Sequence, residues 1–242
     1  MNLKIEKVKE SRINQIDFSK LSFGKTFADH MFICEYKDGQ WQNPTIKPYG
    51  ALSLEPSASV FHYGQAVFEG MKAYKDDNGH VFLFRPQENY KRINKSCERL
   101  AMPAFPEEWF DKALRTLVDI DSEWIKPGFG NALYLRPFVI ATTPGVQASP
   151  AKDYLFIIIT APVQSYYSGD VRVKIADYYS RAANGGFGFA KAAGNYAGQF
   201  YPTQQAAAEG YQQVMWTDDA THQFLEEAGT MNLWFRFGDT LV

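Results

Sequence analysis

The apolar positions of the chain repeat with two different periods. Runs rich in β-branched and aromatic residues, bounded by turn signals, predict strands at MFICEY (31–36), AVFEGMKAY (66–74), VFLFR (81–85), LYLRPFVIA (133–141), YLFIIITAPV (154–163) and VRVKIADYY (171–179). Lys37-Asp38-Gly39-Gln40 and Asp76-Asp77-Asn78-Gly79 read as hairpin turns, because Asp-Gly and Asn-Gly tolerate positive φ. The stretch 66–85 is therefore an antiparallel hairpin.

Helical spacing takes over in three places. Residues 86–101 open on Pro86, suited to a first helical position, and Tyr90, Ile93, Cys97 and Leu100 make one apolar stripe. Arg92, Ser96 and Arg99 form a face opposite it. Residues 107–125 carry Phe110, Ala113, Leu114, Leu117, Val118 and Trp124 on a similar stripe, stopped by Pro127-Gly128. A third helix covers 199–209, with Gly210 as its C′ glycine. Short strands follow at VMW (214–216), QFLE (223–226) and LWFRF (233–237). Hairpins and isolated helices in this order predict an α+β fold rather than a doubly wound sheet. The polar stretch 164–170 reads as a linker between an N-terminal domain, 1–163, and a second domain, 171–242.

Composition narrows the classes. The chain has 242 residues, 45% hydrophobic and 21% charged, which excludes disorder. Its 25 basic and 27 acidic residues leave no cationic excess for nucleic acid or an anionic membrane. Aromatics at 16% require a core, a pocket or a subunit interface to cover them. Two cysteines, Cys34 and Cys97, are too few for a disulfide scaffold and fit a reducing compartment. The opening MNLKIEKVKESRINQID lacks an apolar signal region, and the longest apolar run, around Leu155–Val163, is too short for a span. A soluble cytoplasmic enzyme is expected.

Several motifs fail. Gly24-Lys25-Thr26 lacks the P-loop glycine, because Ser19 stands in its place. Gly185-Gly186-Phe187-Gly188 lacks the dinucleotide fingerprint. The four histidines are scattered without metal-ligand spacing, so no metal is expected.

Four features carry chemistry. Lys191 sits in GGFGFAKAAGNY (185–196) among small residues that would admit a planar ligand, and burial would make its amine a nucleophile for a carbonyl. From the residues alone a surface-loop lysine is the commoner case. Glu227, in LEEAGTMN (225–232), could pair with a protonated ring nitrogen or be a solvated turn acid beside Glu226. The Arg92 face could take a phosphate or be a solvated basic face. Arg136 interrupts an apolar strand, where it needs an anionic or carbonyl partner unless that face is solvated.

The chain resembles the branched-chain amino acid aminotransferases, fold-type IV pyridoxal phosphate enzymes. The matching strings are FADHMF (27–32), HYGQAVFEGMKAY (62–74), LFRPQENYKRI (83–93), LYLRPF (133–138), KAAGNYAG (191–198) and EEAGTMN (226–232), in the family's order. The resemblance implies a two-domain architecture and pyridoxal 5'-phosphate as cofactor. It implies Lys191 as the lysine bonded to that cofactor, Glu227 on its pyridine nitrogen, Tyr196 on its phenolic oxygen and Arg92 on its phosphate. Thr230 and Asn232 fall in the cofactor-contacting turn. Phe23, Tyr63, Phe68, Tyr134, Arg136 and Tyr166 align with the substrate pocket, and Arg136 or Lys72 is expected to receive the distal carboxylate of glutamate. The implied reaction moves an amino group between Leu, Ile or Val and 2-oxoglutarate. The loop Pro144-Gly145-Val146-Gln147-Ala148 aligns with one that reaches a partner subunit, so a homodimer is expected. The family pattern continues past Val242 into a phosphate-binding segment, so the second domain is expected to be incomplete in this chain. A D-amino acid aminotransferase of the same fold and a non-catalytic fragment are the rival readings.

Overall fold

The computed structural model describes residues 2–164 and 169–242. The chain divides into two compact units, Met1–Tyr166 and Tyr167–Val242.

The first unit contains β1 (Lys4–Ile5), β2 (His30–Lys37), β3 (Gln40–Pro48), α1 (Ser59–Tyr63), β4 (Ala66–Phe68), β5 (Met71–Lys75), β6 (Val81–Leu83), α2 (Pro86–Arg99), α3 (Glu107–Ile120), β7 (Ala132–Ala141) and β8 (Tyr154–Val163). The strands form one sheet in the order β1-β3-β2-β8-β7-β5-β6, with β4 also pairing β7. All pairings are antiparallel except β1 with β3. Strand β3 is an element the apolar pattern does not reveal. Asn43 adopts φ +53° within it and the register with β2 shifts between Ile33 and Glu35, so no clean alternation marks it.

The stretch 66–74 is two strands rather than one. Its registers place Glu69 and Gly70 opposite Pro137 and Arg136 of β7. Glu69 donates its N–H to the Pro137 carbonyl at 2.7 Å, but proline has no N–H to return. The ladder breaks there. The hairpin itself, β5 against β6, forms around the Asp76–Gly79 turn.

Helices α2 and α3 cover one face. Ile93 and Cys97 are fully buried from α2, as are Phe110, Ala113, Leu114, Leu117 and Val118 from α3. Ser96 is buried too, and its hydroxyl donates to the Arg92 carbonyl at 2.9 Å. It does not share an exposed face with Arg92 and Arg99. Ser96 follows Ile93 by three residues, which puts both on the inward side of the helix. The core is aromatic: Phe105 and Phe156 stack at 3.8 Å, with Phe32, Trp41 and Phe110 edge-on around them.

α3 stops at Ile120, and a 3-10 turn, Ser122–Trp124, follows. Asp121 turns inward instead and accepts from the His30 backbone N–H at 3.0 Å, with His30 Nδ1 at 2.7 Å. Val8 donates its N–H to His30 Nε2 at 2.9 Å. That bond requires a bare Nε2, so the Nδ1 proton points to Asp121.

The second unit contains β9 (Val173–Ile175), α4 (Ala193–Ala197), α5 (Phe200–Ala208), β10 (Gln213–Thr217), β11 (Leu225–Ala228), β12 (Arg236–Phe237) and β13 (Thr240–Leu241). β10 is central, parallel to β9 and antiparallel to β11, and β12 pairs with β13. The strand expected over 171–179 is confined to β9. After it the Ala176 carbonyl accepts from the Thr217 hydroxyl at 2.9 Å, and Tyr178 lies exposed. Gly210 takes φ +85° directly after α5, as its C′ position requires. The core here is small: Ala176, Ala206, Val214 and Trp216, with Tyr211 against them.

Candidate active site

In the first unit the period of β7 decides which side chains meet. Leu133, Leu135 and Val139 point into the core, so Tyr134 and Arg136 share the opposite face. Arg136 donates from Nε and Nη2 to the Tyr134 hydroxyl at 3.1 and 2.8 Å. Its guanidinium lies over the Phe68 ring, 4.4 Å from the centroid. Phe23 meets the Tyr134 ring edge-on at 4.9 Å, and Lys72 of β5 pairs in register with Tyr134. Phe23, Phe68, Tyr134 and Arg136 are thus one cluster. Tyr63 is placed separately, at the end of α1, where its hydroxyl donates to the Val146 carbonyl in the 144–148 loop. Tyr166 lies outside the described residues.

The break at Glu69-Gly70 ties this cluster to Arg92. Glu69 is 0% exposed and receives Arg92 Nε and, at 2.8 Å, Nη2. Asn89 Nδ2 adds a bond to the same carboxylate at 2.7 Å. A Cβ on Gly70 would overlap the Tyr134 hydroxyl, so the next residue must be glycine for the ring to sit there. Three consecutive residues, Phe68, Glu69 and Gly70, therefore set Arg136, Arg92 and Tyr134.

In the second unit Lys191, just before α4, donates from Nζ to the Tyr196 hydroxyl at 2.7 Å, and both side chains are half-buried. The segment that carries Lys191 is held by the buried Asn195, whose amide donates to the carbonyls of Phe187 and Ala190 at 3.0 and 2.8 Å. Glu227 on β11 faces the guanidinium of Arg181, with Oε1 2.6 Å from Nε. Thr230 accepts from Gln213 Nε2 in the turn after β11, and Asn232 is exposed beyond it. That turn sits tightly on its neighbours: a Cβ on Gly229 would lie 2.7 Å from Gln199 Oε1 and 3.3 Å from Trp216 Nε1. Among the described residues no cluster of three His, Cys, Asp or Glu could hold a metal ion. Nor, among them, is any helix long and apolar enough to cross a membrane.

Sequence reasoning missed Glu69, Arg181, Asn195 and Gln213. Glu69 lies inside HYGQAVFEGMKAY (62–74), and its signal is an acid between Phe and Gly in an apolar strand. Nothing in the local pattern distinguishes Arg181 from a loop arginine.

Residues 66–242 match the family model for amino-transferase class IV. The chain belongs to the class IV aminotransferase family. Branched-chain-amino-acid transaminase 1 of Bacillus subtilis is 49% identical over 224 residues, which are 90% of this chain and 63% of that protein. The branched-chain-amino-acid aminotransferase of Mycolicibacterium smegmatis is 44% identical over 221 residues, 89% of this chain and 60% of that one. This class IV aminotransferase chain thus spans about 60–63% of the length of these curated relatives. Solved structures share its fold. The branched-chain aminotransferase of the thermophilic archaeon Thermoproteus uzoniensis, with norvaline, superposes with a TM-score of 0.69 at 20% identity, over 88% of this chain and 67% of that one. The branched-chain amino acid aminotransferase of Thermobaculum terrenum, in its PLP-form, gives 0.66 at 17% identity, over 87% and 65%. The mixed α/β architecture of this class IV aminotransferase chain is therefore the fold of these enzymes.

Proposed function

We propose that the chain carries out pyridoxal phosphate-dependent transfer of an amino group between branched-chain L-amino acids and 2-oxoglutarate. The observation that carries this reading is the Lys191–Tyr196 pair in the same unit as the Glu227 carboxylate. The names of the similar proteins point the same way. The donor set suits the cofactor. An amine, a phenol, a carboxylate and an arginine are the groups needed for its aldehyde carbon, phenolic oxygen, ring nitrogen and phosphate. When bound, pyridoxal phosphate supplies an electron sink for the charge left when an amino acid loses its α-proton.

The residues take these roles in the proposal. Lys191 would hold the cofactor through its Nζ amine and would move the substrate's α-proton as base and then as acid. Tyr196 bonds the phenolic oxygen and holds the Lys191 amine. Glu227 pairs with the ring nitrogen. Arg92 binds the phosphate through its guanidinium, and Thr230 and Asn232 belong to the cofactor-contacting turn. Phe23, Tyr63, Phe68, Tyr134 and Tyr166 wall the side-chain pocket. Each methylene buried there is worth roughly 0.8 kcal/mol, which favours Leu, Ile and Val over smaller side chains. Arg136 or Lys72 receives the distal carboxylate of glutamate. The N-terminal domain runs over 1–163 and the second domain over 171–242, with 164–170 as the linker in sequence. The active form is a cytoplasmic homodimer. Two free, buried thiols and the exposed Phe61, Tyr63 and Val146 around the 144–148 loop support that part of the reading.

The test is Lys191→Ala. Borohydride reduction with pyridoxal phosphate present should fix the cofactor covalently to the wild-type protein and not to the variant. Transamination of leucine should vanish in the variant. Turnover at the wild-type rate without Lys191 overturns the reading. Glu227→Gln should lose most of the rate, while Glu226→Gln should change little.

A further inference from the structure

The Arg181 side chain is 8% exposed, which is unusual for an arginine, and a buried guanidinium is costly unless its donors are met. One hydrogen bond and one charge contact hold it. Nη1 donates to the Gly188 carbonyl at 3.0 Å, and Nε lies 2.6 Å from Glu227 Oε1. The second contact is a charge contact: the Nε–H is not aimed well enough for a hydrogen bond.

The first contact gives the arginine a fixed base. A Cβ on Gly188 would overlap the Cβ of Ala182, so the 181–182 segment and Gly188 pack against each other without room to shift. Gly188 lies three residues before Lys191, in the segment that Asn195 pins through Phe187 and Ala190. Glu227, by contrast, sits on the four-residue strand β11 with its side chain 45% exposed. A half-exposed glutamate has several rotamers to lose when it must meet a ligand. A guanidinium anchored at one end and charged against the carboxylate at the other removes most of them beforehand.

We infer that Arg181 is a positioning residue: it fixes the Glu227 carboxylate relative to the Lys191 segment before the cofactor arrives. The inference rests on the proposed role of Glu227 toward the cofactor's ring nitrogen. Its physical content is preorganisation, in which a rigid neighbour holds a binding group in its working geometry. Arginine suits the task because its planar fork makes two contacts in different directions. Lysine at this position would reach one of them.

The experiment measures the dissociation constant of pyridoxal 5'-phosphate by equilibrium dialysis in the full-length protein and four variants. These are Arg181→Met, Arg181→Lys, Glu227→Gln and the Arg181→Met, Glu227→Gln double variant. Arg181→Met should weaken binding about tenfold, the usual scale for one charge-assisted contact. Arg181→Lys should fall between it and wild type. In the Glu227→Gln background, Arg181→Met should add little, because the group it positions has gone. A fully additive double variant, or an unchanged constant in Arg181→Met, overturns the proposal while leaving the role of Glu227 intact. An unchanged constant in Glu227→Gln overturns the reading of Glu227, and this proposal with it. Should Arg181→Met fail to fold, the same cycle is run with Arg181→Lys, where a smaller rise that disappears without Glu227 is expected.

Discussion

Arg92 and Glu69 form a bidentate pair in which only one partner meets solvent: the carboxylate is fully buried and the guanidinium is half-exposed. The pair takes Nε–H and one Nη2 hydrogen. Three of the five guanidinium N–H groups remain on the outer edge, not engaged by Glu69. A half-exposed arginine held this way is aimed rather than swinging. The aim originates in the ladder break opposite Pro137, which lets Glu69 turn inward.

The pair should be visible in stability. Arg92→Met leaves the Glu69 carboxylate with only the Asn89 amide and the Gly70 N–H. The expected loss is about 1–3 kcal/mol, below the range for a fully buried pair because Arg92 already shares its charge with water. Adding Glu69→Gln should recover part of that loss. Urea unfolding of the two single variants and the double variant checks this. A double variant that loses the full sum would mean the two side chains do not stabilise one another.

Gly70→Ala tests the substrate side. The new methyl would displace the Tyr134 ring, and Tyr134 is the acceptor that holds Arg136. The atom in the way is the far end of a side chain, so the ring can shift and the stability cost should stay near 1–3 kcal/mol. The KM for leucine and for 2-oxoglutarate should rise several-fold, with pyridoxal phosphate affinity unchanged. An unaltered KM for both would remove Tyr134 and Arg136 from the pocket.

Much of the fold is legible because period and burial agree. Helices α2 and α3 follow their apolar stripes, and β7 and β8 follow continuous apolar runs. What escaped depends on partners distant in sequence. The split between β4 and β5 is set by the missing N–H of Pro137, about 70 residues away. The i, i+4, i+7 spacing of Arg92, Ser96 and Arg99 places Ser96 outward, but its hydroxyl is satisfied by its own helix and so can be buried. On the site, Lys191 and Glu227 are legible as charges in small-residue strings, and Arg92 as part of a basic helix face. The pairings to Glu69 and Arg181, which hold two of them, are not legible, since an ion pair across 23 or 46 residues cannot be read from local sequence, even where the acid itself is conspicuous in an apolar strand.

The two thiols should be inert in the native protein. Burial pushes both Cys34 and Cys97 up to about 12, far above working pH. A thiol reagent at pH 8 should therefore label neither, since the thiolate is the reactive form, and should label both after unfolding in urea. Rapid labelling of either one in the folded protein would contradict the packing of β2 or α2.

Asp29 should contribute to acid sensitivity. Burial raises the pKa of this carboxyl, but donation from the Ser11 hydroxyl, the Arg12 N–H and the Trp124 indole outweighs it. The folded value therefore lies below the ordinary 3.8. A carboxyl lowered in this way adds stability that is complete above its unfolded value and is lost as pH falls through the folded one. Wild type should exceed Asp29→Asn by about 1–3 kcal/mol at neutral pH, because the amide cannot accept all three bonds. The gap should hold down to about pH 5 and then close as the solution is acidified past 3.8. Asp121 behaves oppositely: burial raises it despite its bond to His30, but it is present in both proteins and largely cancels in the difference. Thermal melts of the two proteins from pH 7 to pH 3 give the measurement. A gap that stays constant or widens in acid would mean that the three donors do not hold Asp29 in its charged form.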